Sequence, residues 1–367
     1  MALALRWTRR PAYAAGKPER LGTEGFVMLI RSLAAAAALA FVAGPAAAQQ
    51  QLVLSAFGLS QDLLRKHLYG PFEKQCGCKV VVEVGNNTDR LAKLEARKDN
   101  PNVDVAVFTE TAALEAARKG LIEPIDTKAL ANFAKIYPFA QDPIGGNMGV
   151  AYTFYSTSIV YRTDKIPAMK SWKDLLRPEL KSRVSLPAIN TSQAPLTLMM
   201  IEQALKGTSP SFATAIDAIA AAKDGIVTFY GTGSQLVQLF QQEEIWAAPV
   251  GRFSWGNLKK LGLPLAWAQP EEGLTGGVNV MVMVKGSKQR ELAHRFMDFW
   301  LSADVQAGLA KDLVDSPVNR EVKLDAETRE LMSDAGDIAA TLKLLAPDVA
   351  LAQRDAWLAQ WNAKVAK

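Results

Sequence analysis

The sequence is poor in the residues that most metal and covalent chemistry needs. Among 367 residues there are two cysteines and two histidines. Both cysteines fall in Cys76-Gly77-Cys78, and only His67 and His294 are left to complete a ligand set, which ranks a metal site behind a local disulfide and free thiols. The chain also lacks a Gly-x-Ser-x-Gly elbow, a Ser-x-x-Lys pair and a His-Glu-x-x-His helix. Gly231-Thr232-Gly233 has neither the third glycine nor the acidic partner of a dinucleotide fingerprint, and reads as a helix-entry loop. His67 and His294 lie in amphipathic helical stretches, where a packed or surface role is expected. These absences point away from an enzyme and from a bound cofactor. No internal repeat occurs, and after residue 48 no apolar run approaches the ~20 residues of a membrane span.

One apolar run is present near the N-terminus, and it is short. Arg31–Ala48 reads RSLAAAAALAFVAGPAAA: a basic residue, an apolar core at Leu33–Val42, the helix breakers Gly44 and Pro45, and a small-residue cleavage site. This is the pattern of a secretory signal peptide, with Gln49 expected as the mature start and the periplasm as the destination. Met28 stands where an ordinary signal peptide would begin, so residues 28–48 are expected to be the leader. Residues 1–27 then precede the true start or form an unusually long extension.

Cleavage changes the charge balance. The whole chain has 42 basic and 37 acidic side chains. Six of those bases (Arg6, Arg9, Arg10, Lys17, Arg20, Arg31) and two acids (Glu19, Glu24) precede Gln49, which leaves 36 against 35. A nearly neutral exported chain has no electrostatic footprint for nucleic acid or anionic lipid. In an oxidising compartment Cys76 and Cys78 are expected to pair, and a ring so small removes little chain entropy.

Periodicity after Gln49 alternates strands with helices. Strands are expected at Leu52–Phe57, Lys79–Val84 and Val103–Phe108, with helices at Asp62–Lys74, Asp89–Lys98 and Ala112–Lys119. This order predicts a mainly parallel α/β sheet, with ligands beyond the carboxyl ends of its strands. The loops Phe57–Ser60, Gly85–Thr88 and Thr109–Thr111 then share one rim. Ala151–Tyr155 and Ser158–Tyr161 read as a strand pair leaving this first unit. Arg183–Leu186, Ile226–Tyr230 and Ile245–Val250 build a second unit, with helices at Leu196–Leu205 and Phe212–Ala222. Gly276-Gly277 and the strand Val278–Val284 return to the first, followed by helices at Glu291–Leu301 and Val349–Lys364. The expected organisation is lobe 1 at 49–152 and 276–367, with lobe 2 inserted at 153–275, a hinge and a cleft between them.

Several segments, in order, resemble periplasmic solute-binding proteins of ABC importers. They are Val103–Val107 with Ala116–Ile122, Ile159–Asp164 with Ser171–Leu176, Ala293–Phe299, and Ser316–Asn319. The similarity is to the branch with thiamine-, polyamine- and ferric-iron-binding members (family 1 of the extracellular solute-binding proteins), over nearly all of 49–367. It implies a type II, two-lobed fold, each lobe a mainly parallel mixed sheet flanked by helices. It also implies a monomer that closes on a small molecule and presents it to a permease and its ATPase. Cys76-Gly77-Cys78 and the tail Val349–Trp361 are similar to features of the thiamine-binding members, which makes thiamine or a thiamine phosphate the leading ligand expectation.

The resemblance also nominates a ligand set: Phe57, Thr109, Glu110, Thr111, Asn190, Ser192, Tyr230, Arg252 and Asn279. Glu110 would face a thiazolium, or else cap the following helix; Arg252 would suit a phosphate ester or carboxylate. At the positions where polyamine binders use acids and tryptophans stand Asn190–Gln193, Gly251-Arg252 and Gly277–Asn279, none acidic. An ammonium ion needs carboxylates or aromatic faces to replace its hydration, so polyamines rank second. Another small anionic metabolite comes third. Ala248–Trp255 lacks the paired tyrosines of iron binders. An exported hydrolase on the same fold is the alternative from a different class.

Overall fold

The computed structural model describes residues 49–333 and 342–366; the expected leader at 28–48 and the stretch 1–27 lie outside the described residues. Twelve strands are found there: β1 (Gln51–Ala56), β2 (Lys79–Val84), β3 (Val105–Thr109), β4 (Ile122–Glu123), β5 (Val150–Arg162) and β6 (Val184–Pro187). The rest are β7 (Ile226–Tyr230), β8 (Ala247–Gly251), β9 (Leu265–Trp267), β10 (Thr275–Val284), β11 (Ser316–Pro317) and β12 (Lys343–Leu344). Their main path runs β2-β1-β3-β10-β5-β8-β6-β7. β1 is parallel to β2 and β3, and β6 is parallel to β7 and β8. Between these two parallel blocks, β10 runs antiparallel to β3 and β5, and β5 antiparallel to β8.

Two lobes result, each with its own buried apolar set. The first gathers Leu52, Leu54, Val107, Phe108, Val280, Val282, Phe296 and Trp300. The second gathers Ile159, Trp172, Leu186, Met200, Ile201 and Ile216 on one face of its sheet, while Val160, Phe240, Val250 and Leu258 pack on the other. Ile159 and Val160 are chain neighbours pointing to opposite faces, as the two-residue period of a strand requires. The closing helix, Pro347–Lys364, which the sequence places with the first lobe, buries its tryptophans in the second while Arg354 pairs with Glu115 of the first. Trp357 stacks on Phe212 with ring centroids 4.8 Å apart, and Trp361 meets Phe229 edge-on at 5.0 Å.

Where periodicity suggests two strands at 151–161, the structure has one strand of thirteen residues. The interruption is chemical. Ser156, Thr157 and Ser158 are buried where β5 leaves the first core for the second, and each hydroxyl has a partner. Ser156 Oγ meets Ser333 Oγ at 2.8 Å, Thr157 donates to Gln193 Oε1 at 2.8 Å, and Ser158 donates to the Ala268 carbonyl at 2.8 Å. Opposite them, Gly276 and Gly277 of β10 pair with Ser156 and Tyr155. A Cβ on Gly276 would fall 2.0 Å from the Tyr155 carbonyl oxygen, so no side chain fits at this crossing.

The expected helix at Asp62–Lys74 is broken into Gln61–Leu64, a π-turn at Arg65–Tyr69, and Gly70–Cys76. The last piece ends on Gly77, whose φ of 65° is left-handed, and a bond joins Cys76 to Cys78 with Cα atoms 5.1 Å apart. The motifs that carry the family resemblance are staples of the fold. Ser171 and Asp174 form a capping box, with the Trp172 indole donating to the Gly273 carbonyl at 3.0 Å. Asn319 donates to the Leu301 carbonyl at 2.8 Å, and its own N–H reaches Gln306 Oε1 at 3.0 Å.

Two outcomes are expected. Gly276→Ala should lower stability in urea unfolding by about 1–3 kcal/mol, because the strand must move to admit the methyl; an unchanged midpoint would mean a looser crossing. Protein purified without reductant should show no thiol reactive toward a maleimide after unfolding, and two labelled thiols would refute the Cys76–Cys78 bond.

A candidate ligand cleft between the lobes

Two adjoining cavities lie at the carboxyl ends of β1 and β3, lined by residues from both lobes. The first, about 250 Å³, includes six rings in its wall: Phe57, Tyr152, Phe154, Tyr155, Phe253 and Trp300. The second, about 530 Å³, is more polar and extends from Glu110 and Asn190 to the closing helix at Arg354 and Trp357. Asn87, Thr109, Tyr155 and Ser192 line both, so the cavities share a wall.

Local folding explains why these side chains converge. The β1 exit loop presents Phe57, followed by Ser60 in the left-handed region at φ 54°. The β2 exit enters the helix Asn87–Ala96, with Asn86 accepting from the Asp89 N–H at 2.8 Å as its cap. β3 ends at Thr109, and the next helix, Glu110–Arg118, starts immediately. Arg90 clamps these three exits from beneath. It is 1% exposed, donates to the carbonyls of Ser55, Asn86 and Val107 and to Asn87 Oδ1, and lies 4.0 Å from the centre of the Phe57 ring. Asn87 in turn donates to Thr109 Oγ1 at 3.2 Å. Burial among carbonyls, without a carboxylate partner in that set, lowers the Arg90 pKa to about 10.

β10 crosses the floor of the cleft. Its ladder with β5 shifts register between Asn279 and Val280, which places Asn279 opposite both Thr109 and Thr153. Such an irregularity re-aims a side chain, and Asn279 lines the first cavity. Gly277 is needed here too: a Cβ would sit 2.7 Å from Glu110 Oε1 and 2.8 Å from the Tyr155 hydroxyl.

Each cavity has one carboxyl group held well above its usual range. Asp315, just before β11, lines the first; loss of hydration on burial raises its pKa to about 7 against a hydrogen bond with Thr153 that lowers it. Glu110 lines the second, where burial likewise raises it to about 7, opposed by backbone N–H groups including that of Val278 at 3.2 Å. Thr109, not Glu110, is the N-cap of this helix, and Glu110 stands in its first turn. It opens its helix and ties that helix to β10, while facing the cavity. Beside Asp315 the Trp300 indole N–H is buried with no hydrogen-bond partner among the described residues.

Of the residues nominated from sequence, Phe57, Thr109, Ser192 and Asn279 line the first cavity, and Thr109, Glu110, Thr111, Asn190 and Ser192 line the second. The structure places the other two elsewhere. Tyr230 is buried in the second lobe, its hydroxyl donating to the Pro249 carbonyl at 2.8 Å. Arg252 lies 4.5 Å from the Trp267 ring centre and donates to the Glu330 carbonyl, so stacking and a backbone acceptor take it out of the cleft. Asp315, Tyr155, Asn87 and Arg90 escaped the sequence reading. Asn87 lay inside a loop already assigned to the rim; Asp315 had the weakest signal, a lone acid between Val314 and Ser316-Pro317.

The two histidines have other partners. His67 Nε2 lies 2.6 Å from Asp312, and His294 accepts from the Asp126 N–H at 3.1 Å while its Nδ1 meets the Arg290 carbonyl at 2.8 Å. Neither lines the cleft. Among the described residues no cluster of three histidine, cysteine or acidic side chains is placed to hold a metal.

A model of the bacterial extracellular solute-binding protein family matches residues 67–339. The chain belongs to that family. It is 24% identical over 359 residues to the putrescine-binding periplasmic protein of Escherichia coli K12, covering 89% of this chain and 96% of that one. It is also 24% identical to the spermidine/putrescine-binding periplasmic protein of Salmonella typhimurium, over 77% and 82% of the two chains. Among solved structures, an ABC transporter protein from Clostridium perfringens superposes with a TM-score of 0.76 at 30% identity, covering 86% of this chain and 99% of that one. The two-lobed periplasmic binding-protein fold is thus established, and with it a substrate-binding component of an ABC transporter.

The elevated carboxyl groups set a pH dependence for the empty protein. Each binds its proton more tightly folded than unfolded, so its stabilising contribution is full below pH ~4 and is lost as pH rises through about 7. Asp315→Asn should therefore unfold at higher urea than the parent at pH 8, with the gap narrowing toward pH 4. A gap independent of pH would show that Asp315 is not the titrating group.

Proposed function

We propose that this protein binds a small solute carrying primary ammonium groups, a short diamine in the first instance, and delivers it from the periplasm to an inner-membrane permease and its ATPase. The observation that carries this reading is the pair of carboxyl groups, one in each of two cavities that share a wall, set among aromatic rings. Asp315 and Glu110 supply the negative charge that the family's usual polyamine positions lack here, and the rings of Phe57, Tyr155 and Phe253 suit the methylenes between two amines. A bound ammonium ion stabilises each carboxylate, so ligand capture releases the protons that burial retains.

The polyamine names of the curated relatives support the same choice, which was second in the sequence reading. Thiamine drew on Cys76-Gly77-Cys78 and on the closing helix. The cysteine pair lines neither cavity, and of the tail's two tryptophans Trp361 packs against Phe229 while Trp357, stacked on Phe212, borders the second cavity. A second reading follows from the partnerless Trp300 N–H: an amine that also carries an acceptor, such as an ω-amino acid, would satisfy that donor.

Calorimetry with ligand-stripped protein tests the proposal against putrescine, 4-aminobutyrate and thiamine. Putrescine is expected to bind saturably, and more tightly at pH 8 than at pH 6, because both acids lose their protons in that interval while the amines keep theirs. Asp315→Asn should weaken it at least tenfold. Thiamine binding without putrescine binding would overturn the proposal.

A further inference from the structure

The second cavity continues past Glu110 to a feature that a short diamine leaves unused. Its far wall belongs to the closing helix of the second lobe, its near wall to the helix Glu110–Arg118 of the first, and an ion pair joins them: Arg354 Nη1 to Glu115 Oε2 at 3.0 Å. The two partners are unequal. The Glu115 side chain is 19% exposed, whereas that of Arg354 is 56% exposed. Lys119 also approaches Glu115, at 3.5 Å, but holds Glu95 more closely at 2.8 Å.

This asymmetry decides what kind of group can enter. An arriving cation can take Glu115 and release Arg354 into water, where its guanidinium is already mostly solvated; an exposed ion pair resists such exchange only weakly. An arriving anion would have to take Arg354 and leave Glu115, the less exposed partner, with only the more distant Lys119, which is the costlier exchange. The walls between are compatible with a cationic chain: Thr111, Asn190 and Ser192 offer oxygen atoms, and Ala350 and Leu358 offer apolar contact. Five residues separate Glu110 from Glu115, about 7.5 Å along a helix axis. That span is comparable to the distance a three- or four-carbon spacer sets between two ammonium groups.

We propose that the second cavity is an extension subsite for the third ammonium group of a linear triamine, with Glu115 as its anchor and Arg354 as a displaceable cover. Ligand length is then read at Glu115 rather than at Asp315. The inference rests on the amine reading above and adds to it a subsite and two specificity-determining residues.

The test uses the full mature chain, stripped of ligand, and compares putrescine with spermidine by calorimetry in the parent, Glu115→Gln and Arg354→Gln proteins. Thermal unfolding first checks that both variants fold, as expected for changes at an exposed pair. Glu115→Gln should weaken spermidine at least tenfold and change putrescine less than twofold. Arg354→Gln should tighten spermidine several-fold, again sparing putrescine. Three results would overturn the subsite. In the first, neither variant separates the two amines. In the second, both amines weaken equally in Arg354→Gln, so that the pair only bridges the lobes. In the third, Arg354→Gln abolishes binding of 4-aminobutyrate while spermidine is untouched, so that the cavity reads an anion. Putrescine binding in the parent separates these failures from failure of the underlying function, which shows itself as no amine binding at all.

Discussion

The fold depends on one close approach. β5 and β10 run side by side from one lobe toward the other, and at Tyr155–Ser156 opposite Gly276-Gly277 their backbones come nearer than any side chain permits. The constraint acts in two directions. It forces glycine on one strand and small hydroxylated residues on the other, because this part of the sheet lies between cores and cannot be held by apolar packing. It also fixes where Tyr155, Glu110 and Asn279 meet, since all three touch or flank that crossing. The hydrogen-bonded hydroxyls of Ser156, Thr157 and Ser158 replace the missing hydrophobic contacts with directional ones.

The same crossing links stability with recognition. Glu110, a carboxyl group that burial makes costly to ionise in the empty cleft, lies against Gly277 at that crossing. Arg90 adds a buried positive charge beneath the three strand exits, held by carbonyls and by the faces of Phe57 and Phe108. Strained electrostatics of this kind are what a binding site shows before its ligand arrives.

Much of this was legible in the residues themselves. Alternating apolar runs gave the strand and helix order, and the three rim loops that the parallel order implies do supply Phe57, Asn87 and Thr109 to one cavity. Long-range placement was less legible. Tyr230 and Arg252 have side chains suited to a ligand, but Pro249 and Trp267 claim them, and those partners are remote in sequence or invisible to periodicity. Asp315 shows the opposite failure. Nothing local marks it, because its role comes from β11 pairing with β5 and setting it beside Tyr152 and Trp300. The serine run in β5 was read as a gap for a related reason: a polar stretch resembles a turn until the strand opposite it is known.

The closing helix carries one more consequence. Among the described residues β1 lies in the first core, and the last helix buries Trp357 and Trp361 in the second. β1 and these tryptophans are therefore held in different cores, and any change in the angle between the lobes alters the distance between them. The polypeptide thus carries a built-in pair of attachment points, one in each core, for observing its own opening.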